Sequence, residues 1–126
     1  MALSVLWVGL GGFLGTVCRY GTGLWMARLL PAPQMPWATW LVNILGSMAM
    51  GAIVALAGKG FISDHNWRLF LTVGFCGGFT TFSAFAYENL YMLQESQYLQ
   101  AFLYTLGSLI SCLLAVALGF WIGNKC

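Results

Sequence analysis

Charge is what this chain has least of. Only 6% of its 126 residues are Asp, Glu, Lys or Arg, against roughly 25% in soluble domains. So few charges cannot cover a water-facing surface, and a soluble globular fold is excluded. The net charge of +2 is too small for nucleic-acid binding. The four cysteines, Cys18, Cys76, Cys112 and Cys126, form no C-x-x-C pair, which argues against a metal or disulfide framework. Proline is confined to Pro31, Pro33 and Pro36, so it interrupts the chain in one place. No serine, cysteine or histidine has a plausible base and orienting partner nearby in sequence, and an enzyme is not expected.

What the chain does have is apolar length: 60% of its residues are hydrophobic. A membrane helix needs about 20 apolar residues. Four spans are predicted, roughly 2–30, 37–57, 67–93 and 98–122, in one all-α transmembrane domain with no room for a separate soluble one. The first run lacks a basic leader and is longer than a signal-peptide core, so it reads as a retained helix. Pro31–Pro36, Lys59–Asn66 and Gln94–Gln97 supply the turns.

An even span number puts both termini on one side. That side carries Lys59, Arg68 and Lys125; the other carries Arg28, with Arg19 near it. A cationic excess on one side normally fixes orientation. Here it nearly cancels, so insertion both ways round and an antiparallel homodimer are expected.

The most informative segment is Gly77-Gly78-Phe79-Thr80-Thr81-Phe82-Ser83-Ala84-Phe85. Two adjacent glycines predict that the third span unwinds there. Unwound backbone at membrane depth survives only inside protein or beside a polar cavity. Polar residues elsewhere in the spans are sparse and regularly spaced. Thr39, Asn43 and Ser47 recur at four-residue intervals on the second span. Tyr104, Ser108 and Ser111 form a hydroxyl stripe on the fourth. Such residues serve either interhelical hydrogen bonding or an ion path, and spacing alone leaves both open. Phe79, Phe82 and Phe85 read as packing by periodicity, although the positive edges of phenyl rings can also face an anion. Glu88 is placed to pair with Arg19 or to hydrogen-bond the Tyr104 stripe. The first, second and fourth spans carry no carboxylate, which argues against a proton-coupled transporter. Gly11/Gly15 and Gly119/Gly123 have the four-residue spacing of close helix contacts, and Gly107/Ser111 repeats it with serine.

The Gly77–Phe85 segment, Asn43 within Leu41–Gly46, and Gly11–Gly15 leading to Arg19 together resemble the Fluc (CrcB) fluoride channels over essentially the whole chain. The resemblance implies a dual-topology antiparallel homodimer in the plasma (inner) membrane, with fluoride leaving the cytoplasm passively. It implies pore roles for Asn43, Phe82, Ser83, Phe85, Tyr104, Ser108 and Ser111, and vestibule or supporting roles for Arg19, Thr39 and Glu88. It also implies a structural sodium ion on the backbone carbonyls of Gly77 and Thr80. Ala84 and Cys112 depart from the usual hydroxyl residues of that family. A small multidrug transporter would need a glutamate within the first span, which is missing. A membrane scaffold would not explain hydroxyls opposite broken backbone.

Overall fold

The computed structural model describes all residues from Met1 to Cys126. Four helical spans are long and apolar enough to cross a membrane. They comprise α1 (Ala2–Leu29), α2 (Trp37–Gly58), an interrupted third span, and α5 (Tyr98–Lys125). The third span consists of two pieces. Its first half, α3, starts at His65, passes through a π-helical turn at Phe70–Cys76 and ends with Gly77–Phe79. Its second half, α4, is Phe82–Gln94. Helix ends lie within three residues of those expected, with α5 extending furthest beyond.

Local chemistry sets the boundaries. Pro36 precedes α2 and cannot continue a helix backwards. Asp64 caps α3 by accepting the Trp67 amide at 2.7 Å. The turn after α2 passes through Gly60 at φ +85°, a conformation glycine takes without strain.

The break is not where the glycines suggested. Gly77 and Gly78 remain helical, and the backbone becomes extended at Thr80 and Thr81. Gly78 serves a different end. A Cβ there would run into the Gly12 backbone of α1. Gly11 and Gly15 press equally closely on the backbone of Phe70, Phe75 and Phe79. The π-helical turn of α3 therefore lies in backbone contact with α1, and small residues are what permit it. The interruption itself is made by Thr81. Its side chain accepts the Ala84 amide at 3.2 Å and so starts α4 as an N-cap.

On the other side of the bundle α2 packs along α5. Gly51 faces the Val116 and Phe120 backbone, and Gly119 faces Met48. Gly107 instead makes room for the ring of Trp40, a role its spacing with Ser111 did not suggest. Few side chains are fully buried; Val42, Cys76 and Tyr104 are the largest. Most apolar side chains point outward. That suits a lipid-facing chain, in which packing rather than water exclusion holds the helices together.

Candidate functional site

The centre of the site is the extended pair Thr80–Thr81 and what faces it. Asn43 on α2 uses its amide as a substitute peptide. Its Nδ2 donates to the Thr81 carbonyl at 3.0 Å, and its Oδ1 accepts the Thr81 amide at 2.8 Å. Unpaired backbone groups would be costly at this depth, and these two bonds meet that need where the helix stops. Thr80 returns its hydroxyl to the Cys76 carbonyl at 2.8 Å. The carbonyls of Gly77, Gly78, Phe79 and Thr80 accept no backbone hydrogen bond, because no helical residue follows in register. As oxygen donors they are of the hard kind.

Glu88, within α4, joins three elements. Thr39 of α2 donates to its Oε1. Tyr104 of α5, fully buried, donates to Oε2 at 2.8 Å. Of the two partners open to Glu88, the structure selects the Tyr104 stripe. Arg19 forms no bond with it and leaves its Nε buried without a partner. Arg19 instead lines a cavity of about 240 Å³ with Tyr20, Thr39, Thr81 and Ala84. A guanidinium that is half withdrawn from water, with no carboxylate across from it, makes that cavity attractive to anions. Thr39 and Glu88 also line a wider cavity, about 590 Å³, together with Pro31, Met35 and Trp37.

The side chains that follow around the break are uncharged. Phe85 leans on Tyr104, with ring centroids 5.0 Å apart. Phe82 lies 5.6 Å from Phe85 but is 79% exposed, so its ring points away from its own bundle. Ser83 is exposed at the break, 3.4 Å from the Thr81 hydroxyl. Ser108, one turn after Tyr104, is buried, and its hydroxyl has no partner at all. Ser111 differs. It donates its proton to the Gly107 carbonyl at 2.6 Å and accepts from the Trp40 indole at 2.9 Å. With its one proton spent, Ser111 has no donor left for an anion in this arrangement.

The structure thus brings together Thr39, Asn43, Phe85, Glu88, Tyr104 and the Thr80–Thr81 break. Ser111 stands apart, behind Trp40. Sequence reasoning missed Thr81 and Trp40. The first had a signal, a threonine three residues ahead of Ala84 at a helix start. The second had none, since nothing in the spacing says which helix face Trp40 will meet.

Residues 6–120 match the family described as CrcB-like protein, Camphor Resistance (CrcB). The "Fluoride-specific ion channel FluC" of Thermus thermophilus is 47% identical over 119 residues, covering 94% of this chain and 92% of the relative. That of Chlorobium chlorochromatii is 46% identical over 118 residues, 94% of this chain and 90% of the relative. A third, from a Caulobacter species, is 41% identical over 123 residues, covering 97% and 95%. Matched nearly end to end at these identities, the chain belongs to the CrcB/FluC family.

Proposed function

We infer that this protein is a fluoride-selective channel that lets cytoplasmic fluoride leave passively across the plasma membrane. The observation that carries the reading is the buried Ser108 hydroxyl without a partner, one turn from the Tyr104–Phe85 contact. An orphaned buried donor costs about 1–3 kcal/mol. That cost is recovered when a small anion accepts its proton. Fluoride is small and strongly hydrated, so its water must be replaced by several close donors, and bonds to an anion are stronger than neutral ones. A fixed cation at the narrowest point would hold it too firmly, because conduction requires release. Hydroxyls and ring edges avoid this.

Arg19 gathers the anion at the mouth. Glu88 holds Thr39 and Tyr104 in position. Phe85 presents its ring beside Tyr104, and Ser83 and Ser108 offer hydroxyls. Asn43 keeps the break open while its second amide N–H remains available. Exit needs no energy source, since a negative-inside potential drives an anion outward at about 2.3 kcal/mol per 100 mV.

The outward ring of Phe82 is accounted for by a second copy. In an antiparallel homodimer it completes the partner's path, which agrees with the near balance of cations on the two sides. The carbonyls of Gly77 and Thr80, freed from helical pairing, suit a sodium ion shared between the two copies. When bound, it supplies a fixed positive charge that raises anion occupancy nearby.

The test is efflux from liposomes. Purified protein is expected to release fluoride and retain chloride, and Phe82→Ile or Phe85→Ile to stop the release. Chloride leaving as fast as fluoride would overturn the reading.

A further inference from the structure

Tyr104 belongs to an unbroken series of five rings. Trp37 stacks on Trp40 with centroids 5.3 Å apart and planes 5° from parallel. Trp40 meets Tyr104 edge to face at 5.7 Å. Tyr104 meets Phe85 at 5.0 Å, and Phe85 meets Phe82 at 5.6 Å. Tyr104, Phe85 and Phe82 belong to the ion path proposed above; Trp40 does not.

Three groups outside that path anchor Trp40. Its indole N–H donates to the Ser111 hydroxyl at 2.9 Å. Its face lies on Trp37. Its outer edge fills the gap at Gly107, where a Cβ would come within 2.6 Å of Cζ2 and 2.8 Å of Cη2. The anchoring matters because of what Tyr104 gives up when an anion passes. A phenol has one proton, and here it is donated to Glu88 Oε2 at 2.8 Å. A fluoride ion that accepts it takes that bond from Glu88. The ring then has no polar tether, and packing alone decides where its oxygen points. Its two ring neighbours are Phe85 and Trp40. Phe85 lies on the ion's own route, which leaves Trp40 as the fixed one.

We propose, on the channel reading above, that Trp40 is a positioning residue: held by Trp37, Gly107 and Ser111, it fixes the Tyr104 ring while the Tyr104 hydroxyl serves the ion. Trp40 touches no ion. It sets how often Tyr104 is aimed correctly, and an edge-to-face pair is strong enough to change such a population about two- to tenfold.

Fluoride efflux from proteoliposomes is measured per folded channel, counted by size-exclusion chromatography. Fluorine NMR of the full-length protein carrying fluorotyrosine, in fluoride-free buffer, reports on the ring. The Tyr104 signal is the one that Tyr104→Phe removes. Trp40→Leu is expected to slow efflux by the factor above and to broaden or split that signal. Gly107→Ala drives the Trp40 ring from its gap and is expected to do the same. The two act in opposite steric directions, so a folding failure of one leaves the other. Adding Trp40→Phe to Gly107→Ala is expected to restore efflux and signal, since phenylalanine keeps a ring beside Tyr104 and lacks the two atoms the new methyl would meet. Ser111→Ala leaves the Trp37 stack and the Gly107 gap, so the signal is expected to stay single. In the Tyr104→Phe background Trp40→Leu is expected to slow efflux no further, because the hydroxyl it aims is gone. An unaltered Tyr104 signal in Trp40→Leu would overturn the role whatever the efflux. So would fully additive slowing by Trp40→Leu and Tyr104→Phe, or no rescue of Gly107→Ala by Trp40→Phe. Parent protein that releases no fluoride would refute the channel reading instead, and the Tyr104 signal would still decide whether Trp40 holds that ring.

Discussion

Ser108 and Ser111 lie three residues apart on one helix, and opposite outcomes are expected when each becomes alanine. The Ser108 hydroxyl is buried and has no partner. Removing it sacrifices no protein hydrogen bond and relieves an unsatisfied group, so stability is expected to hold or rise by up to ~1–3 kcal/mol. A fluoride ion passing that point loses one charge-assisted bond, about 1.5–3 kcal/mol. At about 1.4 kcal/mol per factor of ten, that corresponds to a roughly ten- to hundredfold slower flux. The Ser111 hydroxyl makes bonds to Gly107 and Trp40. Ser111→Ala strands the Trp40 indole and is expected to destabilise by about 1–3 kcal/mol, with flux per folded channel unchanged. Fluoride release from proteoliposomes, read by a fluoride electrode, gives the rates. Thermal unfolding of the detergent-solubilised protein gives the stabilities. Full flux in Ser108→Ala, or a loss of flux in Ser111→Ala equal to that in Ser108→Ala, would refute the assignment of donors.

Asn43→Ala removes both bonds to Thr81 and is expected to cost more stability than any single hydroxyl loss, about 2–4 kcal/mol, with flux abolished; a folded, conducting variant would contradict this. Gly15→Ala places a methyl group against the Phe75 backbone and is expected to reduce the yield of folded protein, as judged by size-exclusion chromatography, whereas Gly21→Ala meets nothing and is expected to be neutral. Exchanging sodium for a large organic cation on both sides is expected to lower fluoride flux reversibly, and an unchanged rate would argue against a cation on the Gly77 and Thr80 carbonyls.

Much of this was legible in the sequence because membrane helices are written in long, simple runs. The four spans follow from apolar length, and the stripe from Tyr104 to Ser108 follows from the four-residue interval. Where sequence reasoning failed, the missing information was tertiary. Glycine permits unwinding and also permits close approach, and Gly77-Gly78 gave no means of choosing. The answer depended on α1 lying against Gly78. The fate of Ser111 depended on Trp40 reaching across from α2. Glu88 had two partners open to it, Arg19 and the Tyr104 stripe, and the hydroxyls of Thr39 and Tyr104 took the carboxylate. In each case the local pattern was read correctly and the opposing surface was unknown.

The amide of Asn43 has a consequence for how such a pathway operates. Healing the third span into one continuous helix would require Thr81 to trade two good side-chain bonds for ordinary helical ones, leaving Asn43 stranded in an oily setting. That exchange offers no gain, so the joint is permanent rather than a hinge. In the pathway proposed above, this joint is therefore not the part that swings as a door.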